Sequence, residues 1–145
     1  MEIRPLSEHD TEDIVRIDEK LGGSGRLEHW ENRLLYAIRR DPEGSWVAVD
    51  PASKRVIGFL LADCRGEEFG LPSKTGWIEV LAVHPDHQRK NVASALLTKA
   101  VEHLQKQGAT DIRTLVHPHN HAHLAEFFQG QGFASEPLVV YRKSV

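Results

Sequence analysis

Apolar residues recur along this chain with two different periods, and the changes of period mark its elements. Residues 2–6 form a short strand-like run ahead of Ser7 to Thr11, which suit a helix cap, and Ile14, Ile17 and Leu21 then share one helical face. Gly22-Gly23-Ser24-Gly25 ends that helix. Leu27, Trp30, Leu34, Leu35 and Ile38 make the stripe of a second helix, which stops at Asp41-Pro42 because a residue before proline avoids helical angles. Residues 45–49 and 55–64 are rich in strand formers and flank the turn-like Asp50-Pro51-Ala52-Ser53-Lys54, so they predict a hairpin. A loop of charges and glycines, 65–75, leads into a strand at 77–84 that meets Pro85. Val92, Ala95, Leu96, Ala100 and Leu104 line one face of the longest predicted helix, 88–107, with Gly108 as its C-cap. A strand at 112–116, a helix at about 121–129, a Gly130-Gln131-Gly132 turn and a strand around 138–142 follow. The order β-α-α-β-β-β-α-β-α-β predicts a mixed sheet with helices on its faces, an α/β or α+β sandwich.

Composition narrows the picture. The 145 residues are one domain's worth of sequence, 1–145, and 40% hydrophobic with 27% charged residues is ordinary for a globular chain. With 18 basic and 21 acidic residues the net charge is −3, so no basic field draws in nucleic acid. Cys64 is the one cysteine and has no internal disulfide partner. Met1-Glu2-Ile3-Arg4 carries no apolar signal region, and the longest apolar run, 57–62, falls far short of the roughly 20 residues of a membrane span. A cytoplasmic protein away from membranes is expected.

Chemistry concentrates where the strand at 77–84 turns into the long helix. Free N–H groups of a helix's first turn and the positive end of its dipole suit an anion, and Arg89 and Lys90 add charge there. Two cations at a helix N-terminus oppose its dipole unless an anion is present; the alternative is a pair of solvated charges near Asp86.

The run Ile78-Glu79-Val80-Leu81-Ala82-Val83-His84-Pro85, then Gln88-Arg89-Lys90-Asn91-Val92-Ala93 and Ala95-Leu96-Leu97, resembles the acetyl-CoA-binding motif Q/R-x-x-G-x-G/A of the GNAT superfamily of N-acetyltransferases. Asn120 and Phe127-Phe128-Gln129-Gly130-Gln131-Gly132-Phe133 resemble the ending of the same superfamily, so the likeness covers nearly the whole chain. It implies a GNAT-like, largely antiparallel sheet and acetyl-CoA as cosubstrate. It further implies that backbone groups along Leu81, Ala82 and Val83 hold the pantetheine arm and polarise the thioester carbonyl. The amides of Gln88, Arg89, Lys90, Asn91, Val92 and Ala93, with Ser94 in the same turn, would cradle the pyrophosphate, and Asn120 and Phe127 join the cofactor-binding set. Two positions depart from the pattern. Asn91 stands where the motif has its first glycine; it tolerates unusual backbone angles but adds a side chain beside the phosphates. Phe128 stands where many members place a tyrosine that protonates the departing thiolate, which leaves Tyr141, Tyr36 or water for that proton.

Transfer to nitrogen needs the free amine, because an alkylammonium has no lone pair at neutral pH. Glu79 is the candidate base: its strand would carry the acetyl group, and the flanking Trp77, Ile78, Val80 and Leu81 would desolvate it. It also resembles the glutamate of I-E-x-L-A-V sequences in GNAT members. The alternative is a carboxylate facing solvent or paired with a neighbouring Arg or Lys. His84 and His117 are the next candidates.

His117, His119, His121 and His123 alternate, a spacing that fits one strand face but not a helix, so no metal site is expected. In GNAT-like folds the loop Glu67-Glu68-Phe69-Gly70-Leu71 and the 22–25 tract border the acceptor cleft, where two carboxylates would attract an amine. Trp30, Trp46 and Trp77 read as core. Cys64 has no basic helper in sequence, which favours direct transfer from acetyl-CoA to the primary amine of a small molecule or a protein, by a monomer or homodimer. The rivals are a catalytically silent acyl-CoA-binding module and a nucleotide binder; the chain lacks both the P-loop and the Rossmann fingerprint.

Overall fold

The computed structural model describes residues 1–119 and 121–145, which form two compact units, 1–115 and 116–145. The first unit holds β1 (Glu2–Pro5), α1 (Thr11–Lys20), α2 (Leu27–Arg40), β2 (Trp46–Val49), β3 (Val56–Gly66), β4 (Lys74–Val83), α3 (Val92–Lys106) and β5 (Asp111–Thr114). Its sheet runs β1-β2-β3-β4-β5, antiparallel from β1 to β4 and parallel between β4 and β5, as a crossover through α3 requires.

One face of the sheet carries α1 and α2 on a core of Ile14, Ile17, Trp30, Leu34, Val47, Phe59 and Leu61. Leu21 and Leu27, at the helix ends facing the glycine tract, are 44% and 48% exposed, so the buried stripe is shorter than the periodicity implies. The other face carries α3, seated on bare backbone at Gly58 and Gly76. A β-carbon at Gly58 would lie 2.9 Å from Val92 Cγ1, and one at Gly76 would lie 2.8 Å from Leu104 Cδ1.

At the first helix, Asp10 closes a capping box by accepting from the Ser7 amide at 2.8 Å. Arg4 grips the same carboxylate with two guanidinium nitrogens at 2.8 and 2.9 Å, tying β1 to the helix start.

The second unit contains α4 (Ala122–Gly130). Phe128 is buried and meets the rings of Phe127 and Phe133 edge-on, and left-handed Gly132 turns the chain after the helix. The strand expected at 138–142 is absent among the described residues. Val139, Val140 and Tyr141 are 72 to 93% exposed, because a short run of strand-forming residues makes a strand only where a neighbour takes up its backbone. Among the described residues no helix is long and apolar enough to cross a membrane.

Candidate active site

β4 positions the candidate site, and three local features shape it. The first is a bulge. β3 and β4 stay in register to Leu61↔Val80 and resume at Ala62↔Ile78, leaving Glu79 as an extra residue on β4. A bulge re-aims the side chain it carries. Glu79 points to the α2 side, 37% exposed, with Oε2 3.9 Å from Arg33 Nη2 and Oε1 3.5 Å from Arg65 Nη2. The apolar, desolvating frame expected for Glu79 is thus not formed, because the bulge turns its carboxylate out of the strand's apolar row and onto two guanidinium groups.

The second feature is a parting of strands. β5 pairs with β4 only from Thr75↔Asp111 to Ile78↔Thr114, and the Thr114 hydroxyl closes the pairing by donating to the Ile78 carbonyl at 2.9 Å. From Glu79 to Val83, β4 therefore has β3 as its only paired strand among the described residues, and Leu81, Ala82 and Val83 have no strand paired on the β5 side there. Gln88 Nε2 donates to the Val83 carbonyl at 3.1 Å, folding the following loop back onto the strand end.

The third feature is that loop. The long helix starts at Val92, four residues later than its expected start at Gln88. His84 caps a short 3-10 turn, Pro85–His87, with Nδ1 accepting from the Asp86 amide at 3.1 Å. Arg89 and Asn91 then take left-handed angles, φ 62° and 63°. Asn91 thus occupies a conformation usual for glycine, which asparagine reaches at lower cost than most side chains. Alternating left- and right-handed residues turn successive N–H groups toward one hollow. The amides of Gln88 through Ser94 have no hydrogen-bond partner among the described residues, and neither Arg89 nor Lys90 makes an ion pair there. Unmade donors at a helix start with two uncompensated cations form a receptor for an anion with several oxygens.

Next to Glu79 lies a small, shallow cleft between α2 and β3, lined by Arg33, Tyr36, Arg40, Asp63 and Glu79 among others. Asp63 is 5% exposed; its Oδ1 accepts from Arg65 Nε at 3.1 Å and its Oδ2 lies 2.6 Å from Arg40 Nε. Arg40 also donates to the Tyr36 hydroxyl at 3.1 Å. Glu79 is thus paired with arginine, the alternative left open by the sequence, but the identity of Arg33, 46 positions away, is not legible there beyond the i, i+7 repeat of Arg33 and Arg40 on one helical face.

Among the other expected site residues, His84 is buried, and burial first, then the Arg16 charge, pushes its pKa down. Cys64 is partly buried and burial pushes its thiol pKa up, away from the thiolate a nucleophile needs. Glu68 is held by Arg65 at 3.3 Å, so one of the two loop carboxylates is already paired. Of the candidate acids, Tyr36 lines the cleft and Tyr141 is 93% exposed. His117, His119, His121 and His123 are exposed and meet edge-on in pairs, 117 with 119 and 121 with 123. Phe127 belongs to the second unit, and Asn120 lies outside the described residues.

The family model described as acetyltransferase (GNAT) family matches residues 11–133. An uncharacterized N-acetyltransferase of Methanocaldococcus jannaschii is 25% identical over 104 residues, 72% of this chain and 45% of that protein. Mycothiol acetyltransferase of Thermobifida fusca is 34% identical over 70 residues, 47% of this chain and 22% of that protein. The chain thus spans less than half the length of either relative. Among solved structures, an aminoglycoside N-acetyltransferase in complex with CoA superposes with a TM-score of 0.84 at 20% identity, covering 99% of this chain and 95% of that one.

Proposed function

The chain belongs to the acetyltransferase (GNAT) family, and from that premise we propose that it is a single N-acetyltransferase domain over 1–145 that moves an acetyl group from acetyl-CoA onto a primary amine. The observation that carries this reading is the row of unpaired amides from Gln88 to Ser94, with left-handed Arg89 and Asn91, at the end of a strand whose neighbour has parted from it. Acetyl-CoA supplies an activated acetyl thioester, and the solved aminoglycoside N-acetyltransferase with CoA supports both that cosubstrate and a small-molecule amine.

The residues divide the work by position. The amides of Gln88 through Ser94 bind the diphosphate, with Arg89 and Lys90 adding positive charge at the α3 N-terminus. The open edge at Leu81, Ala82 and Val83 offers backbone groups to an extended chain, as an added strand would use them. Glu79 holds the acceptor's ammonium and takes its proton, and the cleft beside it admits the acceptor. The amine receives the acetyl group directly, a route supported by the raised pKa of Cys64. The departing thiolate takes its proton from water or from Tyr36, the hydroxyl lining the cleft, since Phe128 has none to give. That phenylalanine also favours a second reading, an acyl-CoA-binding module without turnover.

Calorimetric titration with acetyl-CoA, ATP and dephospho-CoA tests the reading. Saturable 1:1 binding that prefers acetyl-CoA is expected, and CoA release with an amine separates the enzyme from the silent module. Absence of acetyl-CoA binding would end both.

A further inference from the structure

The charges around Glu79 carry information about the acceptor. The ionised side chains lining the cleft are Arg33 and Arg40 against Asp63 and Glu79, so they cancel, and behind them Arg65 is matched by Glu68. A pocket for an acceptor with several ammonium groups gains from a surplus of negative charge. Here an incoming ammonium meets two guanidinium groups flanking the carboxylate it seeks.

The three arginines are not equally committed. Arg65 is in contact with Asp63, Glu68 and Glu79, and its guanidinium lies over the Trp77 ring at 5.5 Å. Arg40 lies 2.6 Å from Asp63 and donates to Tyr36. Arg33 makes no hydrogen bond among the described residues. Its partners there are Glu79 at 3.9 Å and the Trp30 ring, 5.3 Å from the guanidinium carbon. The indole fixes the guanidinium from one side, and the donor-bearing edge stays open to the cleft. Glu79 does not need Arg33 to stay in place, because the bulge aims it and Arg65 holds its other oxygen at 3.5 Å.

We propose that Arg33 is a specificity-determining residue that receives an anionic group of the acceptor, so that the preferred substrate is a primary amine bearing a carboxylate or phosphate a few bonds from its nitrogen. This rests on the acetyltransferase reading above. The ammonium faces Glu79 and the anion faces Arg33, whose planar fork matches either oxyanion. With charge-assisted contacts of about 2.8 Å at each end, the 3.9 Å between Arg33 and Glu79 spaces amine and anion by a short linker.

The test uses the full chain saturated with acetyl-CoA, with matched acceptors: β-alanine against β-alaninamide, O-phosphoethanolamine against ethanolamine, and spermidine as a polycation. CoA release should favour the anionic member of at least one pair, and which pair responds separates carboxylate from phosphate. Arg33→Gln should cost the anionic member about ten- to a hundredfold more in kcat/KM than its neutral partner, with the acetyl-CoA Kd unchanged, and Arg33→Lys should restore part of that difference. Arginine side-chain NMR of the acetyl-CoA complex gives a readout free of turnover: the Arg33 signal should shift saturably with β-alanine or inorganic phosphate. Preference for the neutral amines or spermidine, an equal loss for both members of a pair, or an Arg33 signal unmoved by either anion would overturn the proposal with the acetyltransferase reading intact. Loss of acetyl-CoA binding itself would overturn both.

Discussion

The two ends of the active strand treat their polar groups in opposite ways. Beyond β4, from Gln88 to Ser94, backbone donors have no partner among the described residues and two cations have no counter-ion there. At the bulge, Arg33, Glu79, Arg65, Asp63 and Arg40 alternate in charge, Glu68 adds a third carboxylate on Arg65, and every carboxylate of the cluster touches a guanidinium. Donors left unmade suit a ligand with many oxygens, so on the proposed reading the loop serves any acceptor equally. A neutralised cluster responds only to a ligand that re-pairs it, so selectivity belongs at the bulge.

The loop end of this contrast breaks most sharply at Asn91. Its φ of 63° is closed to proline, which also removes an amide, so Asn91→Pro should weaken acetyl-CoA binding by roughly a hundredfold or more, read by calorimetry with the circular dichroism unchanged. Retained affinity would place the diphosphate elsewhere. At the bulge, Glu79→Gln should lower kcat/KM about a hundredfold near neutral pH with the acetyl-CoA Kd untouched. An unchanged rate and pH profile would remove Glu79 from proton transfer.

A smaller effect lies at the junction, in His84. Its folded pKa is pushed below the ordinary 6.5, so the unfolded chain takes up the proton first. The stabilisation is therefore complete above pH 6.5 and drains away as the pH falls below it, when protonation of Nδ1 also removes the acceptor for the Asp86 amide. His84→Asn keeps an acceptor that cannot titrate, and its melting temperature should stay flat over the interval in which the wild type falls by a few degrees. Parallel curves would assign the pH dependence to other groups.

Whatever depended on local pattern was legible in the sequence: the hairpin of β2 and β3, the strand before Pro85, and the apolar face of α3 from Val92 onward. The start of α3 was not, because residues 88–91 carry no apolar position and their shape rests on left-handed angles at Arg89 and Asn91, which periodicity does not encode. The strand expected around 138–142 is not formed among the described residues, since its run of strand formers is real but pairing belongs to two segments and cannot be read from one. Glu79 stands out by its motif, but its surroundings are not those its sequence neighbours imply. Its neighbours in sequence are apolar, but the bulge gives it neighbours from α2 and from the end of β3.

Gly58 makes one further point, about where this molecule tolerates change. α3 rests against its bare Cα, with Val92 Cγ1 2.9 Å from where a β-carbon would go, and Val92 is the first residue of the helix that follows the loop 88–91. The height of that loop above the sheet is thus set from within β3, more than thirty positions upstream. A mutational library confined to the loop would sample the residues proposed to touch the diphosphate and miss the one that levels them.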